Sequence, residues 1–255
     1  MSKPDTEQNP ESEYFGYQKV KPEDKSGMVH DVFASVAENY DIMNDFMSAG
    51  IHRPWKNRFV QMMRPRPEKK LLDVAGGTGD IAFRYLKEAG SGAEVTVCDI
   101  NENMLRVGQD RAIDKGILNG VEWVTGNAES LPFPDESFDL YSISFGLRNV
   151  PKIDDALKEA YRVLKPGGRF FCLEFSHVTM PGLDKLYDLY SFNVIPKIGE
   201  IVAKDHDSYQ YLVESIRQMP TQDALEQRIL DAGFNRAHYQ NLMTGIAAIH
   251  TGWKD

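Results

Sequence analysis

A chain of 255 residues has room for one large domain, or a domain with a cap, around a substantial core. Its 42% hydrophobic and 26% charged residues are ordinary for a soluble globular protein, and no run of about 18 apolar residues is present to span a bilayer. The net charge of −9 argues against a general nucleic-acid binder, which carries a basic surplus, so no nucleic-acid partner is expected.

The two cysteines, Cys98 and Cys172, each sit in an apolar run and read as buried core residues, not as a disulfide or metal pair. The six histidines show no HxxxH spacing and there is no CxxC, so no metal is expected. Asp5, Glu7, Glu11 and Glu13 give the first residues none of the basic or apolar character of a secretory or transit segment, and the cytoplasm is the expected compartment.

In chain order, residues 1–25 are polar, acidic and proline-containing, which predicts a flexible arm, and 26–255 read as a single domain. Within it, 26–67 read as an N-terminal helical cap: Val29, Val32, Phe33, Val36, Tyr40, Met43 and Met47 recur at helical spacing. The basic run Arg53, Lys56, Arg58, Arg64, Arg66, Lys69, Lys70 reads as a solvated face or as a contact for an anionic membrane surface.

Strands and helices then alternate. The apolar run Leu71–Val74 breaks into Ala75-Gly76-Gly77-Thr78-Gly79-Asp80, the way a parallel strand turns into a helix over a ligand. Gly77 and Gly79 suit a backbone that approaches a ligand closely. A strand over 94–98 ends at Asp99, where a carboxylate can take both hydroxyls of a ribose. The same glycines fit a ligand-free turn or a dinucleotide fingerprint with Ala82 as third small residue.

Helices are predicted over 81–89 and 102–115, and strands over Val121–Thr125, Phe138–Ser144 and Arg169–Phe175. The helix before the last of these has Pro151 in its first turn, Asp154 and Asp155 near its start, Arg162 and Lys165 near its end, and Lys165-Pro166-Gly167-Gly168 as its stop. Residues 183–217 break the rhythm and read as a helical insertion after the fifth strand. Its apolar Leu183–Val202 stretch is either a roof over an acceptor pocket or extra core helix. A helix over 222–232 and two closing strands, 234–242 and 246–251, complete an α/β fold: a doubly wound, mainly parallel sheet of seven strands.

Three further stretches narrow the ligand. Asn127-Ala128-Glu129-Ser130-Leu131-Pro132-Phe133 follows the third strand, where an amide and a backbone N–H can read an adenine edge. The fourth strand ends in Ser144-Phe145-Gly146-Leu147-Arg148-Asn149, and Arg162-Val163-Leu164-Lys165-Pro166-Gly167-Gly168-Arg169 precedes the fifth. With the glycine turn, these resemble the class I S-adenosylmethionine-dependent methyltransferases, a Rossmann-like fold, over about residues 68–176.

The resemblance narrows further. Tyr40-Asp41-Ile42-Met43-Asn44, with Ser48, His52 and Trp55, matches the Y-D-x-M-N…S…H-x-x-W signature of the ubiquinone/menaquinone biosynthesis C-methyltransferases. Arg162 through Glu174 with Ser176 matches the second signature of that family, and the likeness runs from about Phe15 to Trp253. It implies methylation of a ring carbon of a polyprenylated quinol, demethylmenaquinol or 2-polyprenyl-6-methoxy-1,4-benzoquinol, with S-adenosylmethionine as donor and no metal. Carried over by residue, Thr78, Asp99, Asn127, Ala128 and Ser144 bind the donor; Ala75 stands where the broader motif has its first glycine.

Chemically, the protein must align ring carbon and methyl group, exclude water and help ionise the quinol. Arg148 and Asn149 are the expected catalytic pair. A guanidinium has no acceptor and is a poor base, which leaves a water held by Arg148 and Asn149, or a carboxylate such as Asp41, to take the proton. His52 reads as structural more readily than as the base, and Tyr40 with Asn44 either close over the donor or cap a helix. The isoprenoid tail implies reversible docking at the inner face of the membrane or in a biosynthetic complex, and a homodimer is compatible with the sequence. The competing readings are an NAD-dependent oxidoreductase, for which no Tyr-x-x-x-Lys pair is suited, and a non-catalytic scaffold.

Overall fold

The computed structural model describes residues 14–15, 18–20, 50–180, 182 and 206–255. The expected helix at Met28–Met47, the Leu183–Val202 stretch, and Tyr40, Asp41 and Asn44 lie outside the described residues. Within the expected arm, Tyr14–Phe15 pairs antiparallel with Gln18–Lys19.

The main sheet has seven strands: β1 Leu71–Val74, β2 Val95–Asp99, β3 Val121–Thr125, β4 Phe138–Ser144, β5 Leu164–Phe175, β6 Arg236–Leu242 and β7 Ala247–Trp253. Their order is β3-β2-β1-β4-β5-β7-β6, parallel throughout except for β7, which runs antiparallel to both its neighbours. The helices are α1 His52–Met63, α2 Asp80–Ala89, α3 Glu102–Asp114, α4 Ile153–Val163, α5 His206–Gln218 and α6 Gln222–Asp231. A parallel strand pair needs a crossover, and the alternating β-α order supplies one at each step from β1 to β3.

Both faces of the sheet are covered, so its central strands are apolar on both sides. Leu71 of β1 joins a cluster on one face with Phe59 and Val60 of α1, Ile81 and Tyr85 of α2, and Val213 and Ile216 of α5. Leu72, its neighbour, points the opposite way, into a cluster with Ala156, Leu157 and Ala160 of α4 and Leu225 and Ile229 of α6. Cys98 and Cys172 are both fully buried and free. Their strands are three positions apart in the sheet, about 14 Å, too far for a disulfide.

The start of the last parallel strand departs from expectation. Pro151 lies ahead of α4, not in its first turn, and the expected stop at Lys165–Gly168 is already part of β5. The cause is pairing with the far end of β7: the Gly167 N–H donates to the Lys254 carbonyl, and the Lys254 N–H to that of Gly168. The Lys254 ammonium, 7% exposed, donates to the carbonyls of Tyr161 and Leu164, capping the C-terminus of α4 where a cation is favoured.

At the centre, the polypeptide leaving β1 backs directly onto the one leaving β4. An ideal Cβ on Gly146 would lie 2.5 Å from the Cβ of Ala75, itself held at φ +50°. Gly146 has φ −117°, which any residue adopts, so alanine there would gain a few tenths to about 1 kcal/mol by restricting the unfolded chain. The clash outweighs that gain, because both partners are backbone-rooted and overpacking costs about 1–3 kcal/mol. Gly146→Ala is therefore expected to lower stability by about 1–2 kcal/mol in denaturant unfolding; an unchanged or higher midpoint contradicts this packing.

Candidate active site

A doubly wound sheet opens a crevice at the carboxyl ends of its strands where the order reverses, here between β1 and β4. The cleft at that point is lined by residues in or just beyond the ends of four strands, among them Asp73, Gly77 and Thr78 from β1, Asp99 to Asn101 from β2, Asn127 and Ala128 beyond β3, and Ser144, Phe145 and Asn149 from β4. Lys56 of α1 and Met104 of α3 complete it.

The turn after β1 is held by the strand beside it. Gly77 and Gly79 take φ of +54° and +81°, left-handed values that glycine adopts without strain. The Gly77 N–H donates to Asp99 Oδ2 at 2.8 Å, and Oδ1 of the same carboxylate accepts the Asn101 N–H at 2.9 Å. Asp99 is thus fixed on the cleft wall by two backbone donors. Ile100, next along, is 50% exposed against the cleft, an apolar wall beside a carboxylate.

The structure brings together seven of the nine sequence-predicted site residues on the cleft wall: Gly77, Thr78, Asp99, Asn127, Ala128, Ser144 and Asn149. Thr78 Oγ1 accepts from Arg111 at 2.9 Å, and Asn127 Oδ1 accepts the Glu129 N–H, closing an Asx turn that shapes its loop. Arg162 staples the next part of that loop to α4, donating to the carbonyls of Leu131 and Phe133 and to Glu159 and Asp135. Gly79 stands behind the wall as the residue before α2, with Trp123 packed on it.

Arg148 is the other exception. Its side chain is 0% exposed and its Nη1 donates to Glu174 Oε1 at 2.7 Å and to the Phe145 carbonyl at 2.6 Å. Glu174 Oε2 accepts the Arg148 backbone N–H, and the guanidinium lies 5.6 Å from the Phe175 ring. Arg148 thus builds the floor under the Leu147–Asn149 turn, while Asn149 beside it is half-buried on the cleft. His52 is buried at the start of α1 and is not on the cleft wall among the described residues.

Two charged groups on the wall escaped the sequence reading. Asp73 is fully buried; Oδ1 accepts from Ser142 at 2.6 Å, while Oδ2 has no hydrogen-bond partner. Burial pushes its carboxyl up to about 7, against the opposing Ser142 hydrogen bond. Lys56, read as part of a basic surface run, is 4% exposed and holds Asp80 Oδ2 at 2.9 Å, with the Phe145 ring 5.9 Å away. Burial raises the Asp80 carboxyl, but Lys56 and Arg84 more than reverse this and hold it below the usual range. The signal for Asp73 was present: an acid in an otherwise apolar strand needs a reason to be there. No cluster of His, Cys, Asp and Glu suited to a metal occurs among the described residues.

The cleft can therefore take hydroxyls at Asp99, an apolar ring beside Ile100 and Met104, and a cation at Asp73. A family model described as the ubiE/COQ5 methyltransferase family matches residues 18–254. The chain is 55% identical over 249 residues to the ubiquinone/menaquinone biosynthesis C-methyltransferase UbiE of Dinoroseobacter shibae, covering 98% of this chain and 99% of that one. It is 58% identical over 242 residues to the protein of the same name from Brucella abortus, covering 94% and 90%. In fold it is similar to a Thermotoga maritima structure described as an S-adenosylmethionine-dependent methyltransferase, with a TM-score of 0.61, 20% identity, and coverage of 89% of this chain and 100% of that one. With the order β3-β2-β1-β4-β5-β7-β6 beneath it, the chain belongs to the ubiE/COQ5 methyltransferase family.

Proposed function

We propose that this chain methylates a ring carbon of a polyprenylated quinol, with S-adenosylmethionine as methyl donor. The acceptor is demethylmenaquinol, a 2-polyprenyl-6-methoxy-1,4-benzoquinol, or both. The observation that carries the reading is the pair of carboxylates on one cleft wall, Asp99 fixed there by backbone N–H groups and Asp73 with an orphaned oxygen, in a chain of this family. A nucleoside with a cationic amino-acid tail answers both. The relatives' names lend nothing to the nicotinamide or scaffold alternatives.

In this reading Asp99 takes the ribose hydroxyls, Asn127 and Ala128 the adenine edge, and the Gly77-Thr78-Gly79 turn the backbone contacts. Asp73 faces the donor's ammonium, and Lys56, steadied by Asp80, its carboxylate. Ser144, whose buried Oγ has no partner, stands at the methyl end. When bound, the donor would supply a sulfonium-activated methyl group that an electron-rich ring carbon can attack, with S-adenosylhomocysteine as the leaving group and the ring proton lost afterwards. The protein's task is to align that carbon, to keep water out and to favour the ionised quinol oxygen; positioning alone is worth about 7–11 kcal/mol. Asn149 faces the acceptor, and Arg148 acts through the turn that carries it and as a buried positive charge nearby, not as the base.

Reversible contact with an anionic membrane surface would bring the enzyme to a prenylated acceptor. Much of the basic run is neutralised, Lys56 by Asp80, Lys69 by Asp139, Lys70 by Glu94 and Arg66 by Glu68. Arg58 and Arg64 are exposed and form no ion pair among the described residues, and they are the proposed contacts. No helix among the described residues is long and apolar enough to cross a membrane.

Three outcomes are expected. Purified protein given S-adenosylmethionine and candidate quinols yields the C-methylated product, and Asp99→Ala weakens donor affinity in calorimetry by about a hundredfold, the worth of two hydrogen bonds to a charged group; binding of NADH in preference to the donor would sink the assignment. A cation beside Asp73 favours its carboxylate, so donor binding at pH about 7 releases about half a proton, read from the buffer dependence of the binding enthalpy. The release vanishes in Asp73→Asn and above about pH 9, where the carboxyl is already ionised. Finally, the Arg58→Glu/Arg64→Glu double variant lowers affinity for anionic liposomes by more than about tenfold at low salt, since each basic residue near such a surface is worth about 1 kcal/mol. Equal binding by both proteins removes those two contacts.

A further inference from the structure

Asn149 carries a carboxamide to the cleft, and a carboxamide has two opposite edges: a carbonyl that accepts and an NH2 that donates. Which edge meets the acceptor decides whether the group helps or hinders, because an oxygen gaining negative charge is stabilised by an N–H and repelled by a second oxygen. The decision is made behind the cleft. Tyr211 of α5 is 3% exposed, and its hydroxyl donates to Asn149 Oδ1 at 3.0 Å. A carbonyl engaged from that side leaves Nδ2 as the group available to the cleft.

The donor role of the phenol is secured by its surroundings. Burial pushes the Tyr211 hydroxyl well above its ordinary value, with the Arg148 charge opposing and Glu174 reinforcing. It therefore keeps its proton at neutral pH and stands as a donor to the amide. The turn that bears Asn149 is held from below by Glu174, whose two oxygens grip the Arg148 guanidinium and the Arg148 N–H, and whose Oε1 also takes the Phe175 N–H. A single-turn 3-10 segment, Leu147–Asn149, is thus pinned at its base by a carboxylate on β5 and at its tip by a phenol on α5.

We propose that Tyr211 is a positioning residue for the methyl acceptor: through Asn149 Oδ1 it holds the carboxamide N–H edge toward the ring oxygen that gains charge as the quinol hydroxyl is deprotonated, the ionisation that makes the adjacent carbon nucleophilic. Neither sequence signature includes Tyr211, and it lies 62 residues from the amide it orients. The inference rests on the quinol-methylating reading above.

The test is steady-state kinetics, with a quinol the wild type methylates, on Tyr211→Phe, Asn149→Ala, Asn149→Asp and the Tyr211→Phe/Asn149→Ala double variant. Tyr211→Phe is expected to lower kcat about tenfold while leaving the donor Kd unchanged, the effect of losing one hydrogen bond that orients a second. Asn149→Asp keeps an acceptor for Tyr211 but puts an oxygen where the N–H stood, and loses at least as much kcat as Asn149→Ala. The double variant falls no further than Asn149→Ala alone, because the phenol acts only through the amide. Wild-type kcat in Tyr211→Phe, independent losses that multiply in the double variant, or an active Asn149→Asp would each overturn the inference. Should Tyr211→Phe fail to fold, Asn149→Asp decides alone. A wild type that methylates no quinol overturns the underlying reading and this inference with it; a wild type that turns over beside an equally active Tyr211→Phe overturns only the role of Tyr211.

Discussion

The back-to-back contact of Ala75 and Gly146 fixes the geometry on which the site depends. β1 and β4 are parallel neighbours, and the segments that leave them must part to opposite faces of the sheet to reach α2 and α4. Parting opens the crevice, and the close approach beneath it keeps the crevice narrow. The backbone is strained to achieve this, with Ala75 at φ +50° and Phe145 at φ +55°, left-handed values that cost an L-residue roughly 1–2 kcal/mol each. Phe145 is compensated by burial against Phe175, ring centroids 4.7 Å apart, and by the grip of Arg148 on its carbonyl. Strain at the cleft is thus offset by packing behind it.

Charge is arranged on the same plan. Three aspartates, Asp73, Asp80 and Asp99, line one cleft, and two of them are answered from within the protein: Asp80 by Lys56 and Arg84, Asp99 by backbone donors. Asp73 is answered only on one oxygen. A buried acid with an orphaned oxygen is destabilising in its charged form, and the raised pKa is the expression of that cost. In the proposed reading, the donor's positive charge relieves that cost on binding. Perturbed acids of this kind gather at functional sites because the same burial that raises the pKa sharpens the response to an incoming charge.

Much of this was legible in the sequence, for identifiable reasons. Alternating apolar runs and capped helices pointed to the doubly wound sheet because a parallel strand buried on both faces is largely apolar, and a crossover between parallel strands is usually helical. Gly77, Gly79 and Asp99 were legible because their roles are local, a turn and the end of a strand. What was missed depends on contacts distant in sequence. The true start of β5 is set by Lys254, some ninety residues on. Lys56 looked like one of seven basic surface residues until α1 turned it inward to Asp80. Asp73 was visible as an acid in an apolar strand, yet only the fold reveals that one oxygen is left over.

Arg148 and Asn149 carry the argument furthest. Adjacent in a 3-10 turn, they cannot both face the cleft, because successive side chains in so tight a turn point about 120° apart. The residue able to carry a buried counter-ion turned inward, and the neutral amide turned out. A guanidinium needs a carboxylate when desolvated, and Glu174 supplies it at 2.7 Å, whereas an amide can stand half-buried at modest cost. The arginine is therefore held too firmly to follow a substrate, but that firmness makes the adjacent amide a rigid donor. Rigidity is what catalysis by alignment requires, since a group already in place needs no reorganisation as charge develops.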